Sequence, residues 1–316
     1  MLKPFDYRRA AEYWKIGDPR AAFTVHAILG GTPGYRDLLP AEPPARAADV
    51  ARWLAAGPLN PASALFREDD YLLTEERTFT DRALYHSVVT AVADGHSSQG
   101  AIAAALGREQ RAVQHPLRAL EEAGLIVRTD DALRARRPIY ALADPIVRFH
   151  HVVTRRDLAR FEDRRTAEAW VDAQPRFSTH VLGPHFEELA RTFTFAVADE
   201  HTVGGRPARV APAVVNDATH RSQHEIDVVA LGRDARTGTQ RVLALGEAKH
   251  TNAKRTLEDL DRLDHIRALV SVRHPDGATA RLLLFAANGF DRGLVNAAAR
   301  RGDVELIDLA RMYEGS

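Results

Sequence analysis

Glu225-Ile226-Asp227-Val228-Val229-Ala230-Leu231 and, after a turn bounded by Gly232 and Gly238, Arg241-Val242-Leu243-Ala244-Leu245-Gly246-Glu247-Ala248-Lys249 decide the fold of the C-terminal part of this 316-residue chain. In the first stretch Ile226, Val228 and Ala230 alternate with Asp227 and Val229, the period of a strand. In the second, Glu247 and Lys249 are two residues apart and so project from one face of a strand. The turn between them makes a hairpin. A carboxylate amid valines is costly unless it is paired or binds metal, and Asp227 is such a carboxylate. Across the hairpin from Glu247 it forms an acidic cup suited to Mg2+ (or Mn2+), a hard cation that takes oxygen ligands. Lys249 at the rim is placed to orient or deprotonate a water, or to stabilise charge on a phosphate. The plainer alternative is a salt-bridged strand end, Glu247 with Lys249 or Asp227 with an arginine. Two crowded carboxylates repel, so at least one pKa should be raised, and without metal the removal of either charge should leave the protein as stable or more so.

Upstream, Gly183-Pro184 opens a helix that buries Leu182, Phe186, Leu189 and Phe193 at i, i+4, i+7 and i+11. Glu187 sits at the border of that stripe, able to reach the hairpin and complete the site. A loop rich in Gly, Pro and Arg is expected between this helix and Glu225, with His220 and His224 as surface-loop histidines. Downstream, a helix over Leu257–Val270, the apolar strand Leu282-Leu283-Leu284-Phe285, a helix from Asp291 and the strand Val304-Glu305-Leu306-Ile307 follow. The Asp227…Glu247-x-Lys249 arrangement, in the order helix, hairpin, helix, strand, helix, strand, resembles the PD-(D/E)XK nuclease superfamily. The resemblance implies a restriction-endonuclease-like α/β domain with a mixed sheet over residues 180–316, in which Asp227, Glu247 and Glu187 hold the metal and Lys249 is catalytic with them.

Residues 80–143 read as three helices and a hairpin. Leu84, Val88, Val89 and Val92 keep helical spacing up to Asp94-Gly95. Ser98 caps Gln99–Leu106, and a third helix runs over Glu109–Ala123 with Val113, Leu117 and Leu120 on one face. Leu125–Arg128, the turn Asp130-Asp131 and Pro138–Leu142 form the hairpin. This is the pattern of a winged helix-turn-helix, whose recognition helix would offer Gln110, Arg111, Gln114, His115 and Arg118 to DNA. Against that, residues 81–143 hold 8 arginines and 7 acidic residues, a weak balance for a free-standing DNA binder.

Residues 144–179 read as a helical connector that starts at Asp144-Pro145. Its neighbours His150 and His151 point to different faces of a helix and do not chelate. Residues 1–79 read as a helical region: Asp18-Pro19 opens a helix through Ala22, Val25, Ile28 and Leu29, closed by Gly30-Gly31-Thr32-Pro33-Gly34, and Tyr71-Leu72-Leu73 looks extended.

Pro4-Phe5-Asp6-Tyr7, His26–Tyr35, His115-Pro116-Leu117, Ala143-Asp144-Pro145, Phe186-Glu187-Glu188-Leu189 and Gly246-Glu247-Ala248-Lys249 together resemble the C-terminal portion of archaeal-type ATPases of the STAND/AAA+ class, over almost all of Leu2–Tyr313. In that family a P-loop domain precedes a helical region, a winged helix and a restriction-endonuclease-like domain. This sequence has no Gly-x-x-x-x-Gly-Lys-Ser/Thr loop, so ATP hydrolysis is not carried over. The resemblance implies a truncated or split descendant, or a late start on a longer gene, and a separately encoded ATPase as a partner.

Composition removes other classes. There is no cysteine, hence no disulfide, thiolate site or cysteine nucleophile, in keeping with a reducing cytoplasm. No apolar run is long enough to span a bilayer, so no membrane partner is expected. Lys and Arg total 43 against 43 Asp and Glu, so DNA binding needs a local basic patch rather than a global field. His-Glu-x-x-His, Gly-x-Ser-x-Gly and Gly-x-Gly-x-x-Gly are all absent. The expectation is a DNA-associated, Mg2+-dependent phosphodiesterase. The alternatives are a non-catalytic DNA-binding or regulatory protein and a subunit of a separately encoded ATPase.

Overall fold

Acidic caps begin the first two helices. Asp6 accepts the backbone N–H groups of Arg8 and Arg9 at the start of α1 (Tyr7–Trp14). Asp18 accepts from Arg20 at the start of α2 (Pro19–Leu29), where Pro19 fills a position with no N–H to lose. The computed structural model describes residues 4–67, 81–134, 137–233 and 237–315; the segment expected to be extended at Tyr71-Leu72-Leu73 lies outside them. Contacts gather the chain into two units, residues 1–129 with 138–182, and residues 130–137 with 183–316.

In the first unit α2 buries Ala22, Val25, Ile28 and Leu29, as their spacing predicts. After it, Phe5 donates to the Gly31 carbonyl at 2.8 Å, and a Cβ on Gly31 would lie 1.8 Å from the Phe5 carbonyl oxygen, so no other residue fits there. α3 (Val50–Ala56) follows, then α4 (Arg82–Ala93), α5 (Gln99–Ala105) and α6 (Gln110–Glu122). Asp81 and Ser98 cap α4 and α5 through their side chains, and Gly107 and Gly124, both at positive φ, end the turns after α5 and α6. Val88, Val89, Ile102, Val113, Leu117 and Leu120 form a shared apolar interior. The small antiparallel sheet of β1 (Ile126–Asp130) and β2 (Pro138–Leu142) follows. Asp144 caps α7 (Pro145–Phe149), which packs on α2; α8 (Leu158–Glu162) and α9 (Thr166–Phe177) complete the unit. His150 and His151 are buried, and His151 Nδ1 lies 2.9 Å from Thr90 Oγ1.

The second unit is a five-stranded mixed sheet with helices on both faces. α10 (Gly183–Ala196) and α11 (Glu200–Val203) lead into β3 (Arg209–Asp217), β4 (Ser222–Arg233) and β5 (Gln240–Lys249). α12 (Leu257–Ser271), β6 (Arg281–Ala286), α13 (Arg292–Ala299), β7 (Val304–Asp308) and α14 (Leu309–Glu314) complete it. The strands lie in the order β3-β4-β5-β6-β7, antiparallel from β3 to β5 and parallel from β5 to β7. Leu260, Leu263, Ile266 and Val270 of α12 bury against Val229, Leu245, Leu282 and Leu284. Phe193 of α10 packs edge-on against Phe285. Leu284 and Phe285 are strand neighbours, so the two helices cover opposite faces. Each fully buried Leu or Phe contributes about 1.5–3 kcal/mol, and this frame is what holds a charged strand end in place.

β3 corrects an expectation: the stretch taken as a Gly/Pro/Arg-rich loop is a strand. Pro212 hides it, since proline inside a strand pattern argues against one. The position tolerates proline because β3 is an edge strand and β4 bulges opposite it. Ala211 pairs with Val229 and Ala213 with Ile226, so Asp227 and Val228 together oppose the single Pro212. The outer edge of β3 is met by Asp131 and Ala132. Ala132 donates to the Pro212 carbonyl at 2.9 Å, and the buried Asp131 accepts the Val214 N–H through Oδ2 at 2.9 Å.

Candidate active site

Strand pairing brings the expected carboxylates together. Val228 stands opposite Gly246 and Val229 opposite Leu245, so Asp227 and Glu247 fall at adjoining places where the β4–β5 ladder ends. Asp227 Oδ2 accepts the backbone N–H of Ala248 at 2.8 Å. Gly246 eases this approach: a Cβ there would lie 3.1 Å from both the Leu283 carbonyl oxygen and Val228 Cβ, so the neighbouring strands would have to give by a few tenths of an ångström. From α10, Arg191 donates to the Asp227 carbonyl at 3.0 Å and lies 4.0 Å from Glu187 Oε2, so Glu187 and Asp227 share an arginine neighbour.

The two acids titrate in opposite directions. Burial pushes the Asp227 carboxyl up from 3.8 to about 6, with the Glu247 charge adding to the rise and the Ala248 N–H opposing it. Burial acts the same way on Glu247, but the Arg255 charge, with Lys249 and Arg262, overcomes it and holds that carboxyl below its ordinary value. Glu247 Oε2 accepts from Arg255 Nη2 at 3.1 Å, and Oε1 lies 2.9 Å from Lys249 Nζ and 3.4 Å from Arg262 Nη1. Asp259 sits 3.2 Å from Arg255 and 3.7 Å from Lys249. Of the two simpler pairings open to the sequence, Glu247 with Lys249 is formed, whereas arginine meets Asp227 at its carbonyl. The expectation that losing the Glu247 charge is harmless is corrected here, because that charge balances three cations.

Arg255, Asp259 and Arg262 were not legible as site residues. Their placement is local: Arg255 donates to Gly289 and accepts from Asp291 through its backbone, and Thr256 with Asp259 forms the reciprocal cap that opens α12. The signal in the sequence is Thr256-x-x-Asp259 itself, a helix start directed at the end of β5.

Gln110, Arg111, Gln114, His115 and Arg118 are all exposed on one face of α6. Arg111 is 2.7 Å from Glu109 and Arg118 is 2.8 Å from Glu122, so both guanidiniums lie against acids of their own helix or its cap. The histidines expected in a surface loop divide: His220 lies in the β3–β4 turn, but His224 is part of β4, and both face Asp217.

Protein-family models, curated proteins and solved structures contain no match to this chain.

Proposed function

We propose that the second unit is a metal-dependent phosphodiesterase of the PD-(D/E)XK type acting on DNA. In this reading Asp227 and Glu247 supply the metal's oxygens, Lys249 positions the attacking water, and Glu187 supports the metal from α10. The observation that carries it is the juxtaposition of Asp227 with Glu247-Ala248-Lys249 across adjoining antiparallel strands. A bound Mg2+ or Mn2+ supplies a polarised phosphate oxygen and a more acidic water.

The donor set fits such an ion. Glu247 Oε2 is fixed by Arg255, whose side chain is 2% exposed, whereas among the described residues Oε1 is held by Lys249 and Arg262, at 35% and 44%. Those two chains can turn outward and leave Oε1 to a metal. Lys249 is then free to hold a water, and Arg262 to take a phosphate oxygen. Asp227, with its carboxyl at about 6, is ionised at neutral pH and able to ligate.

α4–α6 with the β1–β2 hairpin are read as a winged helix-turn-helix whose α6 faces DNA. The pairs of Arg111 and Arg118 with neighbouring acids are exposed, and such pairs are weak enough for phosphate to displace them.

A second reading rests on the cations around Glu247. Lys249, Arg255 and Arg262 already neutralise it without metal, as in a site that binds a phosphate backbone and does not cut it. Nicking of supercoiled plasmid with Mg2+ or Mn2+ separates the two. Wild type should nick, and Lys249→Ala should lose at least about a hundredfold in rate. A wild type that binds DNA yet is inert with both ions overturns the catalytic reading in favour of the second.

A further inference from the structure

A separate cluster lies at the other end of the β3–β4 hairpin. Asp217 closes β3, His220 stands in the turn, His224 lies on β4, and His265 reaches in from α12. The Asp217 carboxylate is buried, and its two oxygens do different work. Oδ1 accepts the backbone N–H groups of Thr219 and His220 at 2.9 and 3.0 Å, which fixes the turn and the carboxylate plane. Oδ2 is ringed by imidazole nitrogens: His220 Nδ1 at 2.7 Å, His265 Nε2 at 2.8 Å and His224 Nε2 at 3.8 Å. The ligand atoms of Asp217, His224 and His265 lie within 4.8 Å of one another.

Hydrogen bonding accounts for only part of this arrangement. His220 and His265 are within hydrogen-bond reach of Oδ2. His224 Nε2, aimed at the same oxygen, is buried and makes no hydrogen bond. A buried ring nitrogen without a partner is costly, and a metal is the partner that suits it. Ligands at 2.0–2.1 Å around a tetrahedral ion stand about 3.3 Å apart. The observed spacings from Asp217 fall on either side of that value, and the three ligand atoms lie within 4.8 Å of one another, so the imidazoles need to draw in by at most about 1.5 Å to make a coordination sphere. The donors also choose the ion. Imidazole nitrogens with one carboxylate suit Zn2+, whereas Mg2+ prefers the all-oxygen set at Asp227 and Glu247.

We propose that Asp217, His224 and His265, closed by His220, bind one Zn2+ ion that ties the β3–β4 hairpin to α12. Asp217, His224 and His265 supply three ligands, and the exposed His220 imidazole, held to the same carboxylate oxygen, turns in as the fourth; a sphere closed by four protein ligands leaves no position for substrate, so the site is structural. It is independent of the nuclease reading, because it shares no residue with Asp227, Glu247, Lys249 or Glu187.

The test uses the untagged full chain, stripped with chelator, reloaded with Zn2+ and desalted, with metal content measured per chain. About one zinc per chain should remain in wild type and be lost in His224→Ala and His265→Ala, while Asp227→Asn and Glu247→Gln keep it. No retained zinc in wild type overturns the proposal, and so does retention unchanged in the double variant His224→Ala/His265→Ala. Loss of zinc in Asp227→Asn with retention in His265→Ala would place the ion at the other site and also overturn it. Should the alanine variants not fold, Co2+ loading of wild type decides. Intense visible ligand-field bands mark the four-coordinate site proposed, and the weak bands of a six-coordinate ion overturn it.

Discussion

Arg255 and Glu247 form a buried ion pair, Nη2 to Oε2 at 3.1 Å, with side chains 2% and 5% exposed. Such pairs recover their desolvation cost only while both partners stay. Glu247→Gln leaves Arg255 with Asp259 alone and should destabilise the metal-free protein by about 3 kcal/mol, read as a lowered denaturant midpoint at unchanged slope. Arg255→Met should cost less, because Lys249 and Arg262 still neutralise Glu247.

Asp227 gives the opposite sign. Its carboxyl is raised from 3.8 to about 6, so ionisation costs folding energy. The stability tied to this group is whole below the unfolded pKa of about 4 and is lost as pH rises through about 6, by about 3 kcal/mol at most. Asp227→Asn should remove that slope. The difference in unfolding free energy between wild type and variant, measured from pH 4 to 7.5, should therefore change across this window; a difference flat with pH would contradict the burial of Asp227.

Metal should reverse the cost. An ion that binds only the folded chain adds about 2.7 kcal/mol at a hundredfold excess over Kd. Mg2+ or Mn2+ should thus raise Tm at neutral pH, less so below pH 6 where Asp227 takes a proton. Asp227→Asn should abolish the shift and Lys249→Ala should keep it. A shift that survives Asp227→Asn would locate the ion elsewhere.

Gly246→Ala tests the backbone approach between the strands. Its Cβ would press on the Leu283 carbonyl and Val228 at 3.1 Å, inside a packed sheet. A loss of about 1–3 kcal/mol is expected, together with a weaker metal response, since β4 and β5 must part where Asp227 meets Ala248.

On α6, Arg111→Ala and Arg118→Ala should each weaken DNA binding similarly across sequences and reduce the salt slope by about one. Gln114→Ala should act on sequence preference instead. Unchanged salt slopes in both arginine variants would remove α6 from the interface.

Much of this was readable in the chain. The β4–β5 hairpin, the apolar strand Leu282–Phe285, and the helix starts at Asp18, Ser98 and Asp144 are local signals, set by residues a few positions apart. The Asp227–Glu247 pairing was legible because one short turn fixes it. What was not legible is made at long range or disguised. Pro212 suppresses the strand pattern of β3, and its place on an edge strand opposite a bulge makes it acceptable. Arg255 and Arg262 reach Glu247 through the cap of α12. Asp217 meets His265 across 48 residues, which no spacing rule anticipates.

The segment met by β3 on its outer side has a practical consequence. Asp131 and Ala132 saturate backbone groups at Val214 and Pro212, though they precede the rest of their unit by some fifty residues of sequence. A fragment excised as 183–316 would therefore carry a naked strand margin, and such margins recruit copies of themselves. It should self-associate in solution, in proportion to concentration, more than the intact chain. Grafting residues 130–137 back through a short linker is the remedy the hydrogen bonds prescribe.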